Sequence, residues 1–115
     1  MNPETEDRAG IKIVRIAGDL DGMESGPLRT ILSDLVEERG ARIVVDMTDV
    51  GFINSTGLSA LITLTARANT HESRLVLAAV SPFVAGVLET TRLDRFFDVF
   101  ATVDAAVAAL NSAQK

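Results

Sequence analysis

The sequence predicts a single α/β domain with a mixed, mostly parallel sheet of four to five strands and four helices. Three observations carry that expectation. Short aliphatic runs (Ile11–Ile16, Ile43–Val45, Leu75–Ala78) alternate along the chain with segments whose apolar residues recur every three or four positions, the order that produces parallel strands joined by right-handed helical crossovers. The 115 residues are enough for one hydrophobic core and too few for two ordinary ones. With 47% hydrophobic and 23% charged residues the balance is that of a globular chain, and no internal repeat, linker or low-complexity stretch interrupts it.

The elements follow in order. The opening MNPETEDRAG is polar and acidic, and Glu4 to Arg8 makes a poor strand candidate, so residues 1–10 are read as a polar leader or short edge strand and residues 11–112 as the domain. Ile11, Ile13, Val14 and Ile16 form a β-branched run closed by Gly18, a strand buried on at least one face. Ser25 and Pro27 mark a helix start, Leu28, Ile31, Leu32, Leu35 and Val36 make its apolar stripe, and Gly40 stops it. Ile43 to Val45 is a central parallel strand ending at Asp46, and a loop from Met47 to Asn54 leads to the next helix. There Leu58, Leu61, Ile62 and Thr65 share a face, and Gly57 in the first turn permits close packing. Leu75 to Ala78 is another buried strand. Ser81-Pro82 is an N-cap and first-turn signature, with Val84, Val87 and Leu88 facing inward. A short strand around Asp98 to Phe100 precedes an alanine-rich helix capped by Thr102, whose Val103, Ala106, Val107 and Leu110 line one side.

Composition removes several classes of function. A formal charge of −5 provides no basic surface for nucleic acid. With no cysteine there is no disulfide, thiolate metal site or thiol nucleophile. His71 is the only histidine and sits in a polar turn, which supports neither a metal cluster nor a Ser-His-Asp triad. No glycine-rich phosphate loop is present, so no cofactor is expected. The polar, acidic start lacks the basic and apolar regions of a signal peptide, and no window approaches the ~20 apolar residues of a membrane span. The expectation is a cytoplasmic protein without membrane insertion. Asn54-Ser55-Thr56 matches a glycosylation triplet, which without a secretory signal is a chance match.

The most informative stretch runs from Asp46 to Leu58, DMTDVGFINSTGL. It places two adjacent hydroxyls, Ser55 and Thr56, between a buried strand and a helix N-terminus. Unpaired amides at a helix start favour anionic groups, and ligands of open α/β sheets gather at the carboxyl ends of the strands. Read from spacing alone, Ser55 is first of all an N-cap and Thr56 a cap or first-turn residue. Asp19 and Asp21 serve turn chemistry, Asp49 is a loop residue, and Asp46 caps the following loop or supports the hydroxyl site.

At these residues the chain closely resembles the STAS family, its anti-sigma factor antagonists in particular. The resemblance spans about residues 11–110 and includes Gly18-Asp-Leu-Asp21, Asp46-Met-Thr, Phe52-Ile-Asn-Ser-Thr-Gly-Leu58, the Leu75–Ala78 strand with Ser81-Pro82, and Arg92-Leu-Asp-Arg-Phe-Phe-Asp-Val. It implies a non-enzymatic STAS-type domain that binds an anti-sigma factor and serine kinase of the histidine-kinase-like ATPase class and so releases a sigma factor. It also implies inactivation by phosphorylation at Ser55, with Thr56 the alternative acceptor, and reversal by a PPM-type phosphatase. The implied partner surface is Asp21, Asn54, Ser55, Thr56, Gly57 and Leu58, supported structurally by Asp46 and Gly18. Two features depart from the pattern. Many phosphorylated members carry Asp where this chain has the neutral Asn54, and members usually have an additional strand before the Ile11 run. Two other functions compete: an unregulated STAS docking subunit of a lipid-transport or stress-sensing complex, and a small hydrolase or nucleotide-handling protein using Ser55 as nucleophile, which would need a positioned general base.

Overall fold

The computed structural model describes residues 4–20 and 26–112. Among them the elements run β1 (Glu4–Arg8), β2 (Ile11–Ala17), α1 (Gly26–Val36), β3 (Arg42–Asp49), α2 (Ser55–Thr70), β4 (Arg74–Ala78), α3 (Pro82–Thr90), β5 (Val99–Phe100) and α4 (Val103–Ser112). One five-stranded sheet has the order β1-β2-β3-β4-β5, with β1 antiparallel to β2 and every other neighbouring pair parallel. This is the mixed, mostly parallel sheet that the alternating pattern predicts.

Of the two readings of residues 1–10, the structure shows the short edge strand, in a segment whose sequence makes a poor strand candidate. Glu4–Arg8 pairs with Arg15–Ile11 over its whole length, although four of its five residues are exposed and no apolar pattern announces it. Charge supplies what hydrophobicity does not. Asp7 lies opposite Lys12, with Nζ 2.6 Å from the carboxylate, and Glu4 lies opposite Arg15 at 3.8 Å. Opposite-charge pairs across an antiparallel ladder favour that register by a few tenths of a kcal/mol, up to about 1. The strands are joined by Ala9 and Gly10, both at positive φ (54° and 84°), the conformation a two-residue type I′ hairpin needs.

Alternation along the strands divides the core into two layers. Val14, Ile16, Ile43, Val45, Met47, Leu75 and Leu77 pack with Leu32 and Val36 of α1, Leu58, Leu61 and Leu64 of α2, and Val84 and Leu88 of α3. Ile11, Ile13, Val44, Val76 and Ala78 face the other way, onto Ala106, Val107 and Leu110 of α4. A parallel strand covered on both faces must be apolar at successive positions, as Ile43–Val45 is. β3 extends past the expected end at Asp46: Met47 continues the period-two pattern into the α1–α3 layer and is fully buried. The connection to α2 is correspondingly shorter. Caps fall where the sequence places them for α3, with Ser81 Oγ accepting from Val84 N, and for α4, with Thr102 Oγ1 accepting from Ala105 N at 3.0 Å. Ser25, read as a helix-start residue, lies outside the described residues.

Candidate functional site

Backbone bonds clamp the end of β2 to the β3–α2 connection. Gly18 N donates to Asp49 O (3.1 Å), Leu20 N to Phe52 O (2.9 Å) and Asn54 N to Leu20 O (3.3 Å), while Leu20 and Ile53 form a parallel bridge. Gly18 sits at φ +99°, a conformation open to glycine at little cost. Leu20 and Ile53 anchor the two segments in the core. Gly57 completes the clamp from the helix side. A Cβ there would stand 2.1 Å from the Leu20 carbonyl oxygen and 2.8 Å from its carbon, so α2 can approach this closely only without a side chain.

The cap of α2 is Asn54. Its backbone is extended (φ −108°, ψ 179°) and its Oδ1 accepts from Gly57 N at 2.9 Å. The capping role that spacing alone offers to Ser55 or Thr56 therefore belongs one residue earlier. Both hydroxyl residues lie in the exposed first turn, and that turn contains no acidic residue. The amides of a helix start lack intrahelical partners and carry the positive end of the helix dipole. Ser55 thus offers a solvent-facing hydroxyl in an electropositive setting, with Asn54 doing the structural work beside it.

Asp46 has a different place. It projects from the α4 face of the sheet, is 4% exposed, and accepts from Thr48 N (3.0 Å), Thr48 Oγ1 and Arg15 Nε (3.1 Å). Burial alone would push its carboxyl up, but the Thr48 hydroxyl and amide and then Arg15 outweigh it and hold the carboxyl below the usual value. The same bond raises the Arg15 guanidinium. Asp46 therefore ties β3 to β2 and bonds Thr48 two residues on within the same strand, and its bonding partners do not come from the Ser55 turn. Asp21 of the expected partner surface lies outside the described residues, whereas Leu20 beside it is held against Ile53, Asn54 and Gly57.

Two aromatic residues to which the sequence reading gives no role, Phe52 of the quoted motif and Phe83, stand next to this site. Phe52, 41% exposed in the β3–α2 connection, stacks on Phe83, 50% exposed in the first turn of α3, with centroids 5.5 Å apart. Phe52 is a large aromatic residue in the β3–α2 connection and Phe83 one in the first turn of α3, and neither position by itself signals the other. His71 is engaged at the end of α2 through Nδ1 and the Arg67 carbonyl (2.9 Å). Among the described residues no group of His, Cys, Asp and Glu is placed to hold a metal, and no helix is long and apolar enough to cross a membrane.

A small α/β domain with one antiparallel edge strand, four parallel neighbours and an exposed serine at a separately capped helix start defines a recognisable class. The chain belongs to the STAS domain family, whose family model matches residues 2–106, including the β1 strand. Among its relatives, the anti-sigma F factor antagonist of Paenibacillus polymyxa is 26% identical over 98 residues, 84% of each chain. The crystal structure of an anti-sigma factor antagonist from Mycobacterium paratuberculosis is 25% identical and superposes with a TM-score of 0.81 over 96% of this chain and 93% of that one. SpoIIAA shares the fold both in its unphosphorylated form (TM-score 0.77, 20% identity, 96% and 97% covered) and as the phosphorylated Bacillus cell fate determinant (0.71, 17%, 95% and 99%).

Proposed function

We propose that this chain is an anti-sigma factor antagonist that binds its partner through the α2 start and the adjoining β2 loop and is switched off by phosphorylation of Ser55. The observation that carries the reading is the division of labour at the helix start. Asn54 holds the cap, so the exposed Ser55 hydroxyl is free for modification without loss of a structural bond. The partner is an anti-sigma factor that is also a serine kinase of the histidine-kinase-like ATPase class. The Ser55 oxygen attacks the γ-phosphorus of ATP, its proton leaves, and ADP is released. A PPM-type phosphatase restores the hydroxyl with water, releasing phosphate. The catalytic machinery belongs to these partners, which sets the exchange in the cytoplasm, and this chain acts as substrate and ligand.

Magnitudes make the switch workable. A phosphoryl group adds about −1.5 to −2 charges at pH 7. At the α2 start the helix dipole favours that charge by about 0.3–1 kcal/mol, up to ~2 when partly buried, so the fold accommodates it. In a protein interface the same group must be desolvated, and burying an unpaired charge there costs about 2–5 kcal/mol. A loss of ~3–4 kcal/mol weakens binding several-hundred-fold, at about tenfold per 1.4 kcal/mol, with no conformational change required. Asn54 keeps a second negative charge away from the modified serine while preserving the cap.

The test is incubation with ATP and each ATPase-domain anti-sigma kinase encoded in the same genome, followed by mass mapping. One phosphoryl group on Ser55 is expected. Binding to a kinase with no label on Ser55 or Thr56 from any of them would remove the regulated reading and leave an unregulated docking subunit; label on Thr56 alone would move the switch by one residue.

A further inference from the structure

The β3–α2 connection buries Val50 and Ile53 but leaves Phe52 in solvent, stacked on the equally exposed Phe83. Beyond Phe83 the outer face of α3 continues as an open groove of about 400 Å³ lined by Pro82, Phe83, Gly86, Val87, Thr90 and Thr91, positions recurring at the four-residue spacing of one helix face. A Phe side chain moved from water into an apolar contact gains about 1.5–3 kcal/mol, so two rings left exposed side by side mark a surface built for something else to cover.

Charge around the patch indicates what that is. The segments 16–28, 43–66 and 75–91, which supply the α2 start, Phe52 and α3, contain no Lys or Arg. Asp19, Asp49 and Glu89 are exposed, and no cation pairs with them among the described residues. At the far end of α3, Glu89 and Thr90 share a hollow with Arg92, Asp94 and Arg95, so the unpaired carboxylates that complement a partner's Lys and Arg are Asp19 and Asp49, at the β2 and β3 ends beside the apolar centre. The patch is continuous with the switch, because Phe52 lies three residues before Ser55 on a loop that Leu20 holds in place.

We infer that the Phe52–Phe83 stack and the α3 groove form the apolar centre of the interface that Ser55 controls. Their occupant is an apolar segment of the anti-sigma factor, bordered by basic side chains that meet Asp19 and Asp49. The inference rests on the proposed function and extends its contact from α2 to α3. Affinity then resides in the two aromatic rings, encounter rate in the hydrated carboxylates, and control in the serine next to the apolar centre, where an added phosphoryl group has to lose its water.

The test measures binding of the purified ATPase-domain anti-sigma factors of the same genome to wild type, Phe52→Ala, Phe83→Ala, Thr90→Arg, Asp49→Asn, Phe96→Ala and Ser55→Asp. Phe52→Ala and Phe83→Ala are expected to weaken binding at least about tenfold. Thr90→Arg, at an exposed position lining the groove, should weaken it by putting a long charged side chain where the apolar segment of the partner has to pack. Asp49→Asn should slow association at low salt and lose that effect at high salt. Phe96→Ala, equally exposed but outside the groove, should bind as wild type. Phe83→Ala and Thr90→Arg binding within about twofold of wild type, while Ser55→Asp fails to bind, would overturn this inference and leave the proposed function standing. A wild-type chain that binds none of these partners overturns the proposed function and this inference with it, whatever the Phe83 variant does.

Discussion

Replacing Gly57 by alanine should damage this protein out of proportion to one added methyl group. The new Cβ would lie 2.1 Å from the carbonyl oxygen of Leu20, 2.8 Å from its carbon and 3.2 Å from its Cγ, where non-bonded carbon atoms prefer about 3.5–4.0 Å. Relief requires α2 and the Leu20 segment to separate, straining the Leu20 N–Phe52 O bond of 2.9 Å and the Asn54 N–Leu20 O bond of 3.3 Å. Overpacking costs about 1–3 kcal/mol and each weakened bond up to about 1, while alanine's better helix propensity returns at most about 1. The net loss is about 2–4 kcal/mol. An unfolding entropy of roughly 2.1 cal/mol/K per residue over 115 residues converts this to a fall of about 8–16 °C in melting temperature, read by circular dichroism. Adding Leu20→Ala should not rescue the variant, because the nearest clashing atoms are backbone. A Gly57→Ala protein melting within about 3 °C of wild type, or one restored by Leu20→Ala, would refute the close-approach argument.

Three further substitutions probe the neighbouring chemistry. Asn54→Ala removes the cap on Gly57 N and should cost about 1 kcal/mol, whereas Asn54→Asp should melt within a few tenths of a kcal/mol of wild type; equal losses in both would show that the cap is not what Asn54 contributes. Asp46→Asn should cost about 1–2 kcal/mol, discounted because Arg15 is 45% exposed. The folded carboxyl lies below its ordinary value, so its contribution is complete above the unfolded pKa of about 3.9 and is lost as pH falls from there through the folded value. The acid limb of stability against pH should therefore be shallower in Asp46→Asn, and an unchanged limb would contradict the assignment. Thr65, 4% exposed, has a buried hydroxyl with no hydrogen-bond partner among the described residues, so the nearly isosteric Thr65→Val should stabilise the protein by about 1 kcal/mol; a lower melting temperature would mean that the hydroxyl is satisfied after all.

What the sequence could disclose followed from where the information is stored. β2, β3, β4 and the α2 and α4 stripes are written in apolar periodicity, because each must bury a face, and those elements are legible residue by residue. β1 is not, since its stability comes from pairing Asp7 with Lys12 and Glu4 with Arg15. Half of that information lies in another strand, although the two pairs are symmetric about Ala9-Gly10 and a search for charge complementarity across that turn would have found them. The sequence places the end of β3 at Asp46 because a carboxylate after an apolar run reads as a terminus. Only the structure shows Arg15 and Thr48 satisfying it while Met47 carries the strand onward. At the site, the hydroxyl pair and Gly57 stand out by motif, but which residue caps α2 depends on where the backbone turns from extended to helical, here after Asn54, and cannot be read from Asn-Ser-Thr, three capping types in a row. The stacking of Phe52 on Phe83 joins positions far apart in the chain and leaves no local trace.

The proposed switch requires Ser55 to be a place where charge is tolerated by the fold and rejected by the partner. The most direct measurement compares unphosphorylated protein with protein stoichiometrically phosphorylated on Ser55, in melting temperature and in affinity for the anti-sigma factor by titration calorimetry. The melting temperatures should agree within a few degrees, the helix dipole favouring the charge by about 0.3–1 kcal/mol, while Kd rises by roughly two orders of magnitude or more. Equal affinity of the two forms, or a phosphorylated protein that loses affinity only because it unfolds, would contradict it.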